Sequence, residues 1–421
     1  MLKGGALLFA IAISLIVTLI CLSLILFSSY TQLQTSRYLE LDKLRINSTS
    51  GINLLLSSYD LPRNKRVKID LFGNSTDSLE VYKSYWGIFD LVSSRAFSHN
   101  NSFNQAAIEG HLLEESKRFA FYLADNDKPL SLCGKTVITG KSYLPKAGVK
   151  RAYIEGQYFS GDKLVNGETL NSKKVVPPLD KELMERLAFD YKNYPSQSGI
   201  RSMTELYGSD SLTNSFANET MVFYDPGAVE FKGKFISGNI IIVSDKTIII
   251  DSDTKLFDVV ITAPRVIVEE NFNGTCQIIA SEKIEIKKNC IFNYPSSVSL
   301  CYRGNNNDSI PDIHIEEGAA INGVVISTST SESAGMAAKS KIIIEKGARV
   351  NGQVYAAANV DLKGSIYGSL ICRNIILSTP SAVYENHLLN ATVDVSKLSR
   401  YFTGINVDDI YASKKIIKWL Y

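Results

Sequence analysis

Asp251, Glu269, Glu316 and Glu345 fall in one column when the middle of the chain is written at its repeat period, with Lys287 between the second and the third. Clustered carboxylates are what cleavage of a glycosidic bond requires, one as acid and another as nucleophile or base. Residues in such a column sit about 5 Å apart, the spacing between neighbouring strands. Lys287 interrupts the series, however, and the adjacent columns supply no consistent basic or calcium-binding partner. The column therefore reads as a solvated charged face. His314 points outward with no triad partner in view, and Asp408-Asp409 lies outside the repeat. No phosphate-binding glycine loop occurs.

The six cysteines are Cys21, Cys133, Cys276, Cys290, Cys301 and Cys372, and none forms a CxxC pair. The four histidines are not spaced to complete a zinc site. The expectation is therefore no metal, no cofactor and no catalytic residue. With Cys21 inside an apolar run, the other five are an odd number, which excludes a complete disulfide framework. They read as small buried hydrophobes, with Cys276 bonded to Cys290 or Cys301 as the alternative. The Asn-rich stretch Arg303–Pro311 reads as a solvated loop, with calcium or sugar binding as its sharper alternative. Sequons at Asn47, Asn74 and Asn273 matter only in a host that glycosylates asparagine.

The acidic column exists because of a repeat. Rows of 18 residues from Asn239, Phe257 and Thr275 place Ile248, Val266 and Ile284 in one column, and Ile250, Val268 and Ile286 two residues on. A period of 2 inside a longer fixed period is the mark of a short strand repeated coil after coil. Asp253, Asn271 and Asn289 share a third column, of residue types that tolerate a left-handed backbone at a corner. Two longer rows, stepping by 29 residues, begin at Asp312 and Lys341 and bring Gly318 and Gly347 into it. The extra residues fall at Arg303–Pro311 and Thr328–Ser340. A second glycine column holds Gly323, Gly352 and Gly368. The expected fold is mainly β: a right-handed parallel β-helix whose stacked coils share one core. A long N-terminal transmembrane and amphipathic helix and a small mixed sheet precede it.

Ala6 to Phe27 is an uncharged apolar run of 22 residues, and about 20 suffice to cross a bilayer. Lys3 precedes it, which predicts a cytoplasmic N-terminus and a single pass into the periplasm. Tyr30, Leu33, Leu41, Leu44, Ile52 and Leu55 then mark one helical stripe, weakened at Gly51 and ended by Pro62. The expected boundaries are 1–62 for this helix, 63–130 for a small α+β head and 131–232 for an early coil with a helical excursion near Asp180–Asn193. The β-helix proper follows at 233–390, and 391–421 is a C-terminal cap. The head's strands are expected at Leu79–Tyr85, Ile88–Val92 and Phe119–Ala124, around a core at Trp86. The head is expected to cover one end of the array and Lys397–Tyr421 the other.

Met1-Leu2-Lys3-Gly4 followed by Gly5-Ala6-Leu7-Leu8-Phe9 resembles the N-terminus of type IV pilins and type II secretion pseudopilins. The resemblance implies cleavage after Gly4 and packing of the helix among other pilin-like or envelope subunits. The fifth mature residue, a glutamate in major pilins, would be Leu8 here, as in minor tip subunits that lack that acid. A plain uncleaved signal anchor accounts for the same run. The repeat is similar in architecture to that of bactofilins, which lack such a helix and head.

The formal charge of +2 gives no basic footprint for nucleic acid. The residues point to a membrane-anchored, non-enzymatic structural or interaction protein of the bacterial cell envelope, held in the membrane by residues 6–27. The alternative is a tethered polysaccharide-binding or polysaccharide-degrading β-helix, for which glycan is the partner.

Overall fold

The structure is a computed structural model of the 421-residue chain. It describes residues 3–57, 61–70, 78–98, 101–194, 199–304, 310–330, 339–407 and 413–420. The chain divides into two compact units. One holds Met1–Leu61, Lys65–Tyr82 and Ser93–Gln105; the other holds Pro62–Asn64, Lys83–Val92 and Ala106–Tyr421.

In the first unit, helix α1 (Lys3–Ser57) runs unbroken from the apolar stretch. The predicted stripe is buried only in its second half, at Leu44, Ile52 and Leu55, while Tyr30, Leu33 and Leu41 stay exposed. Gly51 has a packing reason: a Cβ there would lie 2.3 Å from Ser94 Oγ and 3.0 Å from Leu79. The Ser48 hydroxyl, one turn earlier, donates to the Ser94 carbonyl at 3.0 Å. Strands β1 (Val67–Ile69), β2 (Ser78–Trp86), β3 (Phe89–Phe97) and β4 (Ser102–Leu112) pair in that order, β1 antiparallel to β2; Lys83–Trp86, Phe89–Val92 and Ala106–Leu112 of these strands belong to the second unit. β4 was not expected, because Ser102–Leu112 carries little apolar alternation.

In the second unit, most strands from Phe121 onward pair into one large, mostly parallel sheet that closes on itself, while Leu130–Cys133, Val149–Arg151 and His387–Leu389 form a three-stranded sheet of their own. The predicted columns are register partners. Ile248 pairs with Val266, Val266 with Ile284, Ile284 with Ile313, Ile313 with Ile342, Ile342 with Val360, and Val360 with Ile375. Each is 0 or 1% exposed, so each contributes roughly 2 kcal/mol of apolar burial. Asn271, Asn289, Gly318 and Gly347 have φ of 65°, 57°, 75° and 84°. Asp253 departs from them and is not at positive φ. Its corner is closed instead by Thr254, whose amide donates to the Asp251 carbonyl at 3.1 Å and whose hydroxyl donates to the Phe231 carbonyl at 3.0 Å. The left-handed residue is Asp258, at φ 58°, where the register shifts between Phe257 and Val259.

Gly323, Gly352 and Gly368 are register partners at φ near 150°. A Cβ on each would lie 1.9, 1.8 and 1.8 Å from the carbonyl oxygen of the coil before it, at Ser296, Gly323 and Gly352. Only glycine lets the backbones approach this closely. Beside them the Asn351 amide donates to Asn322 at 2.6 Å.

Three expectations are corrected. Coils begin at Ile200–Ser202 and Ser211–Asn214 rather than at 233. Strand β5 (Phe121–Leu123) belongs to the array and not to the small sheet. The early coil also stacks beyond the last coil, with Phe121 opposite Leu370, Ile138 opposite Val393 and Leu132 opposite Leu388. Lys414–Trp419 pairs antiparallel with β4.

Because the array starts near residue 200 and finishes near 171, the connection between them must travel its length. Residues 172–194 do so as a strap that includes helix α2 (Lys181–Ala188), N-capped by Asp180. Tyr122 Oη donates to the Val175 carbonyl at 3.1 Å and Tyr355 Oη to the Pro177 carbonyl at 3.0 Å. Arg303 donates to the Leu187 carbonyl at 3.4 Å, and Lys192 pairs with Asp245 at 3.1 Å. The partners step back through the coils as the strap advances. Its Leu179, Leu183, Leu187 and Tyr191 share one cluster with Ile241, Val260, Ile279 and Ile326 on the outer face of the wall. Trp86 is fully buried there too, 5.1 Å from Phe216. It is core, as expected, but the core is shared with the array. Helix α3 (Met203–Tyr207) closes the array's first end by inserting Met203 and Leu206 into the interior.

Candidate functional site

From Lys287 onward the acidic column is a ladder of paired charges, with Lys283 and Glu285 beside it. Lys287 Nζ is 3.1 Å from Glu285 and 3.2 Å from Glu316; Lys363 Nζ is 3.3 Å from Glu345; Lys283 Nζ is 2.6 Å from Glu285. Lys287 does not interrupt a catalytic pair; it is the rung between Glu285 and Glu316. The Lys283 ammonium, and after it that of Lys287, hold the Glu285 carboxyl below its usual value. His314, read as solitary, has Nε2 3.4 Å from Glu345. The ladder keeps alternate charges neutralised along the stack, which suits a solvent-facing sheet.

The more concentrated charge is buried, and the sequence reading passed over it. Asp90 on β3 accepts Arg63 Nη1 at 2.5 Å and Arg186 Nη2 at 3.0 Å, with Lys83 Nζ at 3.3 Å. Lys83 on β2 also pairs with Glu109 on β4, and Lys414 Nζ lies 3.6 Å from Glu109. Glu182 on α2 accepts Arg63 at 2.6 Å and Arg186 at 3.1 Å. The side chains of Lys83, Asp90, Glu109, Arg186 and Lys414 are each at most 6% exposed. One network thus joins the segment after α1, three sheet strands, the strap and the C-terminal strand.

Burial alone would raise the Asp90 carboxyl, but Arg186, Lys83 and Arg63 hold it well below the usual carboxylate range. Burial opposes the Lys83 charge, yet Asp90 and Glu109 keep the ammonium above its usual value. Glu109 is shifted the other way: burial raises it and outweighs Lys83. Its second oxygen is buried without a hydrogen-bond partner among the described residues. Burial and the neighbouring Lys83 both lower Lys414. An ion-wrapped Asp90 is a poor proton acceptor, so the arrangement acts as a clasp. A cavity of about 10 Å³ beside Asp90, Glu109, Arg186 and Lys414 has room for roughly one water. A signal was present: Lys83 is in phase with buried Leu79 and Val81 on β2.

All six cysteines are free. Cys276 and Cys290 face the array's interior while Cys301 faces the outer, strap-covered side; a Cys276–Cys301 bond would have to pass through the wall, and the alternative disulfides are not formed. Among the described residues no group of three or more His, Cys, Asp or Glu is placed to hold a metal ion. Residues 305–309, 331–338 and 408–412 lie outside the described residues, and with them Asp408-Asp409 and most of Arg303–Pro311 and Thr328–Ser340, including the stretch considered for calcium or sugar binding. Asn74 does also. Gly4 lies in the first turn of α1.

No protein-family profile and no curated protein sequence matches the chain. Among solved structures, the crystal structure of the competence-associated pilin ComZ from Thermus thermophilus aligns with 85% of this chain and 86% of its own, at 10% identity and a TM-score of 0.26. An alignment that loose fixes no shared fold.

Proposed function

We propose that the chain is a single-pass, non-enzymatic structural protein of the bacterial cell envelope. In this reading residues 6–27 cross the inner membrane and the remainder stands in the periplasm, presenting a right-handed parallel β-helix similar in architecture to bactofilins. The observation that carries it is α1. Its apolar residues from Leu7 to Phe27 are about half to three-quarters exposed, and they continue without a break into a helix whose last turns are buried. Apolar surface on that scale needs lipid or protein around it. Handedness follows from the general rule that parallel crossovers are right-handed. The narrower form is a minor pilin-like or pseudopilin-like subunit, cut after Gly4. The paired rungs of Glu285, Glu316 and Glu345 support a structural role over polysaccharide cleavage.

Carbonate extraction of inner membranes tests the anchor; release into the supernatant overturns it. Protease added to spheroplasts should digest the array, and protection until lysis overturns the orientation. N-terminal sequencing should read Gly5 for the processed subunit, and a start at Met1 or Leu2 removes that form. Release of unsaturated or reducing ends from polyuronides, lost on removing Glu269, Glu316 and Glu345, would restore the enzymatic reading.

A further inference from the structure

The coil that ends the array differs in charge from the rest of the chain. Between Lys128 and Lys174, nine Lys or Arg stand against three Asp or Glu, a formal +6 in a chain whose total is +2. Lys128, Lys141 and Lys174 are paired with Glu385, Glu168 and Asp127. Lys135, Lys146, Lys150, Arg151 and Lys163 are exposed and face no carboxylate among the described residues.

The same coil carries a hairpin, Tyr153–Ile154 against Gln157–Tyr158, turned at Glu155-Gly156. It sets Tyr153 opposite Tyr158, with ring centroids 4.4 Å apart at 40°. The two are 55% and 74% exposed. The hairpin is seated, because Ile154 beneath it is buried with Cys133 and Leu377. Gln157 accepts from the Asn390 amide at 2.9 Å, and Asn390 accepts the Lys135 backbone N–H at 2.9 Å. The Lys135 backbone is thereby tied to Gln157, the neighbour of Tyr158 in the chain, while Lys150 and Arg151 lead into Tyr153; the Arg151 guanidinium sits 5.7 Å from the Phe159 ring centroid and donates to the Asp162 carbonyl at 3.3 Å. A tyrosine pair fixed on a seated hairpin, in a coil with an excess of exposed cations, is a preorganised surface of positive charge.

We propose that this terminal coil binds an anionic glycan. The C–H faces of pyranose rings stack on the outer faces of the tyrosine pair, and the acid groups of the sugar meet Lys135, Lys150 and Arg151. The two rings already touch, so no slot remains between them for a nucleobase. The proposal gives the array a ligand and rests on the periplasmic reading only for where that ligand is met; binding in solution is tested apart from it.

The full-length chain in detergent is titrated with labelled polygalacturonate, its methyl-esterified neutral counterpart, oligo-dT and anionic phosphatidylglycerol vesicles. Polygalacturonate should bind and weaken with salt. Tyr158→Ala and the double change Lys150→Glu with Arg151→Glu should each weaken it about tenfold, at an unchanged thermal midpoint. Lys255→Glu, on a distant coil, should change nothing. No binding of polygalacturonate, equal binding of the neutral polymer, tighter binding of oligo-dT or vesicles, or indifference to Tyr158→Ala each overturns the proposal.

Discussion

Phe121 stands in parallel register with Leu370, and beside them the Ser369 hydroxyl donates to the Phe119 carbonyl at 2.6 Å across 250 residues of sequence. Phe121 is fully buried among the array's interior side chains. Phe121→Ala should therefore destabilise by about 3–5 kcal/mol, the usual cost of emptying a large aromatic site. Urea unfolding followed by tryptophan fluorescence measures it; a loss under about 1 kcal/mol would mean the early coil is not part of the cooperative unit.

Close backbone approach makes a sharper comparison. Gly352→Ala would press a methyl group to 1.8 Å from the Gly323 carbonyl oxygen, whereas Gly148, also at positive φ, has open space around it. Gly148→Ala should cost about 1–2 kcal/mol from the left-handed backbone alone. Gly352→Ala should cost clearly more, because two coils must separate. Equal midpoint shifts for the two variants would refute the contact.

The buried ions give a sign to acid stability. Asp90 is held below its unfolded value, near 4, so its contribution is fully present above about pH 4 and fades as pH falls toward its folded value. Glu109, raised by burial, works oppositely: its contribution is present below about pH 4.3 and is lost as pH rises through its folded value. Asp90→Asn should cost about 3–5 kcal/mol at pH 7, since three cations lose their partner. It should also remove part of the fall in urea midpoint between pH 5 and pH 3. An unaltered pH slope would show that Asp90 is not the titrating group.

Thiol chemistry reports the array's integrity. Burial pushes the Cys290 and Cys301 thiols up to about 11, and raises Cys133, Cys276 and Cys372 as well. Thiolate is the reactive form. In detergent these five should react with a disulfide reagent only at the rate of unfolding. Two or more fast thiols in the native chain would contradict this burial.

What the sequence disclosed, and what it hid, follows from the length of the signal. Ile248, Val266 and Ile284 were readable as a column because each sits in a strand that repeats its neighbour's pattern at a fixed step. Phe121–Leu123 has three residues and no period, and its partner lies at the far end of the chain, so nothing local pointed to Leu370. Asp253 looked like its column mates, yet Thr254 closes that corner by another route. Lys83, Asp90 and Glu109 were passed over because such residues are almost never fully buried unless paired. Their partners come from the strap and the C-terminal strand, which no local window contains.

The strap has a consequence for synthesis. Residues 121–171 leave the ribosome well before Leu370, Leu388 and Val393, the partners on which they come to rest. The closing coil is thus made first and must wait for the last coils to exist before it has a seat. A nascent chain halted anywhere before them holds only one half of an unclosed seam, so completion is all or none, and prematurely stopped products present raw strand edges to the proteases that clear them.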